Sequence, residues 1–280
     1  DGETETVETD ESWLARPDTA CTGCLQYDSR IPAAEFAPAV SVEDIWHTET
    51  APIPMLTLQE IGRTAADLAP GETKTVRLEL PRIWGAYPDV KTDGSCRITL
   101  ATRELDGQTS TCEELNFGEA GFYRSFRMHS LSILEAEIKN TGSAPLHVGI
   151  GLTATWYPVE AEGHFITNDE GLNKVFDVCR HTLQICRQTL HLDSTSHQEL
   201  LACTGDYYIE TLMTAYSFGD MGLAAFDVRR TAELLRYRDG RMFHTTYSLI
   251  WVQMLMDVYR YTGEKELLFT VKGGESFDTQ

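Results

Sequence analysis

The chain contains 280 residues, 42% of them hydrophobic and 24% charged, a composition typical of a globular protein with about two domains. Its 23 basic side chains stand against 43 acidic ones, so the formal net charge is −20 and nucleic-acid phosphates or anionic membranes would be repelled. No stretch approaches the roughly 18 consecutive apolar residues of a membrane-spanning helix. Nucleic acid and membrane are therefore not expected as partners, while compartment and oligomeric state stay open.

The first part of the chain carries the period-two pattern of half-buried strands. Its longest example has an apolar side chain at every second position from Leu146 to Trp156, after the turn residues Asn140-Thr141-Gly142. Shorter alternating runs follow the turn dipeptides Pro70-Gly71 and Asp93-Gly94. Several such strands without a helical pattern between them predict an antiparallel β-sandwich domain over residues 1–160.

The apolar spacing changes to three and four residues after Thr167, which is typical of helices. The pattern predicts a first helix after a capping box at 167–170 and further helices at about 206–218, 220–240 and up to Gly263. The faces predicted to be buried on the first two helices contain Leu172, Val175, Phe176, Cys179, Leu183 and Cys186, then Ile209, Leu212, Met213 and Tyr216. Residues 161–280 are therefore predicted to form helical hairpins, arranged as a bundle, a solenoid or a toroid.

A long polar connection separates the first two helices. It runs over sixteen residues from His191 to Asp206 and contains the carboxylates Asp193, Glu199 and Asp206. Connections of this length are often functional, and carboxylates that converge raise one another's pKa, so one can stay protonated and donate to a leaving oxygen. In the alternative interpretation, Asp206 is the N-cap of the second helix and the other two are solvated loop acids.

Metal binding is a further alternative for the same connection. It contains four side chains of ligand types, namely His191, Asp193, His197 and Glu199. These would suit a metal-dependent hydrolase, but their spacing matches no closed zinc motif. Elsewhere, Cys21 and Cys24 form an isolated C-x-x-C pair, and the seven cysteines favour free thiols over a disulfide framework. The sequence predicts neither a metal nor a cofactor.

The connection resembles the acid loop of the bacterial α-L-rhamnosidases of glycoside hydrolase family 78, which reads D-C-P-x-R-x-E-x-x-G-W-T-G-D. Asp193, Glu199 and Thr204-Gly205-Asp206 stand at the offsets of that motif without a gap. Residues 163–173 are similar to the stretch before the family's first toroid helix, and Ser248–Gly263 to its S-x-x-W…D-x-Y-x-Y-T-G helix. The resemblance implies a six-hairpin glycosidase: an antiparallel β-sandwich followed by an (α/α)6 toroid, truncated here after its first helices.

The resemblance also implies a reaction, the inverting hydrolysis of terminal α-L-rhamnosyl or related linkages. The implied partner is a carbohydrate, either a rhamnose-containing glycoside or a polysaccharide. Glu199 would be the general acid, while Asp193 and Asp206 would bind sugar hydroxyls. The general base would come from a later hairpin, beyond this chain. Because an acid without base-activated water leaves the hardest step unassisted, the isolated chain is expected to be inactive.

Two replacements change the expected sugar pocket. The family's Arg is His197 here and its Trp is Cys203, which removes a fork of hydrogen-bond donors and a flat stacking surface. Further candidate sugar contacts are Trp251, which also fits the buried stripe of its helix, and His244 between the third and fourth helices. If the replacements abolished the chemistry, the chain would be a non-catalytic carbohydrate-binding relative of the same fold.

Overall fold

Strands form where apolar and polar residues alternate, and they end at turn residues. The computed structural model describes residues 12–23, 25–40, 53–104, 109–159, 163–196 and 203–270. Its strands are β1 (Leu14–Ala15), β2 (Cys21–Gly23), β3 (Gln26–Asp28), β4 (Ala37–Pro38), β5 (Thr57–Leu68), β6 (Thr73–Thr92), β7 (Cys96–Arg103), β8 (Thr109–Phe117), β9 (Gly121–Arg124), β10 (His129–Asn140) and β11 (Leu146–Trp156). The strand predicted from the alternation between Leu146 and Trp156 is confirmed as β11.

Strand β6 lies between the two parts of the main sheet, with β10 on one side and β11 on the other. Nine strands form this sheet in the order β2-β3-β8-β7-β10-β6-β11-β5, with β9 beside β6, and every pairing is antiparallel except β3 with β8. The 20-residue β6 pairs with β10 along its first part and with β11 and β9 near its end. The sequence predicted antiparallel strands, but not this continuity, because it depends on pairing between distant segments.

The inward side chains of the sheet share a single apolar core. Its members come from strands on both flanks, so the sheet curves around the core. The largest of these completely buried side chains are Phe117, Ile98, Leu100, Leu115, Leu131, Leu134, Ile138, Ile150 and Leu152. The face of β11 that carries its even-numbered residues therefore points inward, and the odd-numbered residues point to the opposite face.

A buried polar network crosses the same domain. His129 Nε2 lies 2.5 Å from Glu113 Oε1, while Ser125 Oγ and Tyr123 OH donate to the two oxygens of Glu113 at 2.6 and 3.1 Å. Burial raises the pKa of Glu113, but the hydrogen bonds from His129 and Ser125 outweigh it and leave the pKa below its usual range. The network provides hydrogen bonds to both buried oxygens of Glu113, which is a structural role.

The helices are α1 (Glu170–Cys186), α2 (Thr204–Ser217), α3 (Gly222–Tyr237), α4 (Thr245–Thr262) and α5 (Lys265–Thr270). The side chain of Asp169 caps α1, because its carboxylate accepts from the backbone N–H groups of Gly171 and Leu172. The capping box predicted at Thr167 is therefore wrong in its position. Gly263 follows α4 with a φ of 69°, in the left-handed conformation that favours glycine after a helix.

The buried face of α2 differs from the predicted one. Ile209 and Tyr216 are 59% and 70% exposed, whereas Tyr207, Thr211 and Thr214 are buried. Periodicity shows which side chains share a face, but packing decides which face is covered. Among the described helices, none combines the length and the apolar character that a membrane crossing requires.

Hydrogen bonds hold α1 against the sheet. Arg82 donates to Asp177 at 3.0 Å, and His181 Nε2 donates to the carbonyl of Ile83 at 2.7 Å. Behind the end of α1, Gln188 donates to the carbonyl of Thr155 on β11 at 2.7 Å. The last strand and the first helix are thus tied together, and the connection that follows α1 starts from a fixed position.

Candidate active site

The connection after α1 begins with a tight, buried turn. Leu192 N–H donates to the carbonyl of Cys186, and Gln188 N–H to that of Leu190, both at 2.9 Å. His191 is completely buried, as is Arg187 at the start of the turn. The chain therefore folds inward here, and the interpretation of the whole connection as a solvated loop does not hold for its first residues.

Arg187 anchors this turn through its charge. Its guanidinium lies between the rings of Tyr157 and Phe218, 4.7 and 5.0 Å from their centroids, and donates to Asp220 at 3.1 Å. Burial lowers the pKa of Arg187 and nearby Asp220 opposes that change. Stacking between two aromatic rings is a geometry that suits guanidinium and not ammonium.

His191 forms a buried pair with a residue of α3. Its Nδ1 lies 2.5 Å from Asp227 Oδ2, and its Nε2 lies 3.3 Å from Thr214 Oγ1 on α2. Neither side chain of the pair is exposed to solvent. Both ring nitrogens of His191 are thus occupied, so this residue is not available as the metal ligand considered above. Burial raises the pKa of Asp227, while the hydrogen bonds from His191 counteract the effect.

Glu210 lies one helical turn after Asp206 on α2. Residues four apart share a helix face, so the two side chains point in similar directions. Burial and, after it, the negative charges of Asp227, Asp206 and Asp193 together raise the pKa of Glu210 to about 9. Glu210 therefore keeps its proton at neutral pH. Its Oε2 is shielded from solvent and has no hydrogen-bond partner among the described residues.

Four carboxyl groups thus form what we call the acidic cluster: Asp193, Asp206, Glu210 and Asp227. Asp206 lies in the first turn of α2 and is exposed, while Cys203 occupies the N-cap position. The alternative in which Asp206 caps the helix is therefore wrong. Both Asp193 and Asp206 approach Glu210 closely enough to act on its pKa. His197 and Glu199 lie outside the described residues.

A groove opens beside the acidic cluster. It encloses about 580 Å³, within the range of small-ligand sites, and runs between α1 and β6 to residues 193–196. Its polar lining consists of Arg82, Glu104, Ser130, Lys174, Asp177, Thr182, His181, Asp193, Ser194, Thr195 and Ser196. Thr195 donates to Ser130 at 2.8 Å, which fixes the acidic connection to β10. We call this cavity the α1 groove.

Two of the other predicted sugar contacts are buried in the helical core. Trp251 lies in the core between α3 and α4, where its indole N–H donates to the carbonyl of Val228 at 3.1 Å. Cys203 is buried in the same core. Because packed core side chains present little free surface, we leave these two residues out of the proposal below. His244 is exposed before α4, in ring contact with Phe243 and Tyr247.

Sequence reasoning missed Glu210, Asp227 and Arg187. Glu210 had a readable signal, since it follows Asp206 by four residues on a predicted helix. Asp227 had none, because the residue it pairs with is 36 positions earlier and only tertiary packing brings them together. Of the described residues, no three of His, Cys, Asp and Glu are placed to hold a metal ion. The six cysteines in the described segments are free thiols.

No family model and no curated protein matches the sequence. Among solved structures, the chain is similar to the rhamnosidase of Klebsiella oxytoca with rhamnose bound, with 18% identity and a TM-score of 0.60 over 74% of this chain and 48% of that one. It is also similar to a GH78 family rhamnosidase of Bacillus sp. GL1, with 16% identity and a TM-score of 0.59 over 77% of this chain and 24% of that one. The chain thus spans about half and a quarter of their lengths, and it shares the fold of these rhamnosidases.

Proposed function

We propose that this chain belongs to a glycoside hydrolase that removes terminal α-L-rhamnosyl or closely related units with inversion of configuration. Glu199 is the general acid, Asp193 and Asp206 bind sugar hydroxyls, and the general base lies outside this chain. The observation that carries the proposal is the crowding of carboxyl groups around Glu210, in a chain that shares the fold of two rhamnosidases.

Carboxyl groups that crowd together work against stability, above all where one of them is buried, as Asp227 is. Each ionised oxygen loses water on burial, and like charges that share a site repel one another. A fold gains nothing from this arrangement by itself, and groups with strongly shifted pKa values concentrate at functional sites. The buried His191–Asp227 pair and the stacked Arg187 fix the chain immediately before Asp193. These fixed contacts favour the interpretation that Asp193 belongs to a preorganised ligand site and not to a solvated loop.

The chemistry requires two carboxyl groups with different protonation states. In an inverting glycosidase, one protonates the leaving oxygen and the other activates water, with the two about 6.5–9.5 Å apart. Glu199 stands six residues after Asp193 and seven before Asp206, so both of its acidic neighbours in the motif are members of the acidic cluster. Their negative charges favour retention of a proton by any third carboxyl group placed between them. Glu210, protonated at neutral pH, adds a hydrogen-bond donor to the same site.

The residues that we propose to bind the sugar are fewer than those predicted from the sequence. Cys203 and Trp251 belong to the helical core and leave the proposal. His197, Asp193 and Asp206 remain, with His244 as a candidate at the start of α4. The α1 groove, adjacent to Asp193, is the proposed position of the group that leaves with the glycosidic oxygen.

Exposed apolar side chains support the truncated toroid as the larger architecture. Leu172, Val175 and Val178 are exposed along α1, as are Leu249 and Val252 along α4. Contiguous apolar surface along a helix is usually covered by other parts of a protein. We propose that further helical hairpins of the longer protein cover them, and that the isolated chain does not turn over substrate.

The test uses the full-length protein and two rhamnosides that differ in their leaving groups. Glu199→Gln is expected to lower kcat/KM for an alkyl rhamnoside by about 10²- to 10⁴-fold, because an alkoxide needs a proton to depart. A dinitrophenyl rhamnoside should be much less affected, since its phenolate departs without help. The matched control is Glu233→Gln on the exposed side of α3, which should change neither rate.

Three results would contradict the proposal. Equal losses on both rhamnosides would show that Glu199 is not the acid, and an initial α-L-rhamnose product, observed by NMR, would exclude inversion. Turnover by the 280-residue chain would place the general base within it. Binding of rhamnosides by the full-length protein without any turnover would instead favour the non-catalytic carbohydrate-binding relative.

A further inference from the structure

The outer face of the main sheet contains a second cavity, remote in sequence from the acidic cluster. It encloses about 680 Å³ and lies across β5, β11, β6 and β9. Because Val148, Ile150 and Leu152 point into the core, the residues between them on β11 form the floor of this cavity. We call it the outer trough.

Two glycines form the centre of its floor. Gly149 pairs with Ala65 and Lys91, and Gly151 pairs with Arg63 and Asp89, in the interior of β11 and before its register shift against β5 at Leu152/Thr153. Glycine weakens a strand, because it has no side chain to pack and loses more conformational freedom on folding. A Cβ atom at Gly149 would find its nearest neighbour at 3.9 Å, and one at Gly151 at 3.6 Å. Packing does not demand glycine at either position, whereas close approach by a ligand does.

A fixed set of hydrogen-bonding groups forms one wall. Arg124 donates to both oxygens of Asp89 at 2.6 and 2.9 Å and to Thr153 Oγ1 at 3.1 Å, and Thr153 donates to Asp89 at 2.6 Å. On the opposite wall, Arg63 donates to Glu60 at 2.6 Å. In such an ion pair, the guanidinium can donate a hydrogen bond to one hydroxyl group of a ligand while the carboxylate accepts one from the neighbouring hydroxyl.

The charges in the trough are balanced, although the protein is strongly acidic. The lining carries three cationic side chains, Arg63, Lys91 and Arg124, and three carboxylates, Glu60, Asp89 and Asp93. A metal ion or a phosphate would meet as much repulsion as attraction, so the balance favours an uncharged ligand. Phe122 and Leu58, 58% and 59% exposed, add apolar surface at the rim. Hydroxyl groups on the edge of a ring and an apolar ring face are the features of a sugar, and an aromatic side chain offers the matching surface.

We propose that the outer trough is a carbohydrate-binding site, separate from the acidic cluster, that holds an uncharged oligosaccharide. The choice of α-L-rhamnosyl units as the sugar rests on the proposed function. The proposal of a carbohydrate-binding site in the trough does not depend on it. A substrate polymer bound here would stay attached to the protein between cleavage events, which raises its effective concentration at the acidic cluster.

The experiment titrates the 280-residue protein with a tetrasaccharide of α-linked L-rhamnose, using calorimetry and amide NMR shifts. Binding should shift the amides of Gly149 and Gly151, and Phe122→Ala and Gly149→Val should each weaken it at least tenfold. Phe269→Ala is the matched control, since Phe269 has a similar exposure of 56% on α5 and lies outside the trough. Asp206→Asn should leave binding in the trough unchanged. Circular dichroism checks that each variant is folded.

The outcomes separate this inference from the proposed hydrolase. The proposed site in the outer trough would be overturned if neither the rhamnose tetrasaccharide nor a glucose tetrasaccharide bound at millimolar concentration, or if Asp206→Asn abolished binding and Phe122→Ala did not affect it. Binding of the glucose tetrasaccharide alone would support the site and refute only the choice of sugar. If the protein formed a dimer that Gly149→Val dissociated, the carbohydrate site would also be refuted, because a second copy of the chain would then cover the outer trough. Binding lost in Phe122→Ala, in a full-length protein that hydrolyses no rhamnoside, would support the trough and refute the hydrolase.

Discussion

The protonated state of Glu210 predicts a measurable dependence of stability on pH. Its pKa is about 9 in the folded protein, against an ordinary value of 4.5. Below the lower value, both the folded and the unfolded chain bind the proton, and the group costs no stability. Between the two values only the folded chain keeps the proton, so the free energy of unfolding falls as the pH rises.

The expected magnitude follows from the size of the shift. Each pH unit between the two values costs about 1.4 kcal/mol, so the accumulated loss at pH 7 is about 3 kcal/mol. Glu210→Gln replaces the protonated carboxyl with an amide of similar shape that never ionises. The variant should therefore gain stability over the wild type, and the gain should increase by about 1.4 kcal/mol per pH unit.

Urea unfolding followed by circular dichroism at pH 5.5, 6.5, 7.5 and 8.5 measures this difference. Groups that titrate in both proteins cancel, which leaves the contribution of Glu210. The control Glu233→Gln removes a carboxylate on the exposed side of α3, outside the acidic cluster. A stability difference for Glu210→Gln that does not change with pH would mean that Glu210 ionises normally in the folded protein, and the acidic cluster would lose its main support.

Two further predictions concern buried groups near the same site. His191→Ala leaves the carboxylate of Asp227 buried without its partner, so urea unfolding should show a loss of about 3–5 kcal/mol, and a loss below 1 kcal/mol would refute the pair. Burial raises the pKa of the Cys186 thiol to about 12, so iodoacetamide at pH 8 should modify exposed Cys179 well before Cys186, as read by peptide mass spectrometry. Equal rates would contradict the buried turn after α1.

The two carbohydrate proposals divide the molecule into a chemical site and a binding site. The acidic cluster lies where the connection after α1 meets α2 and α3, and it concentrates negative charge. The outer trough lies on the sheet and balances its charges. A neutral oligosaccharide suits both, because hydroxyl groups donate to carboxylates at the first and exchange hydrogen bonds with ion pairs at the second.

The sequence by itself determined the elements that depend on local chemistry. Alternating side chains predicted β11 from Leu146 to Trp156, and the left-handed preference of glycine predicted the end of α4 at Gly263. The length and polarity of the connection after α1 drew attention to Asp193 and Asp206, both of which raise the pKa of Glu210. Each of these signals lies within a few residues of the feature that it predicts.

Only the tertiary structure decided which faces meet and which distant residues pair. The predicted apolar face of α2 is exposed at Ile209 and Tyr216, and a face that includes Thr211 and Thr214 is buried instead. Asp227 reaches His191 from another helix, and β6 joins strands from both flanks into one sheet. Local periodicity sets the orientation of side chains around a helix or strand, whereas burial depends on contacts between segments far apart in the chain, which no local pattern encodes.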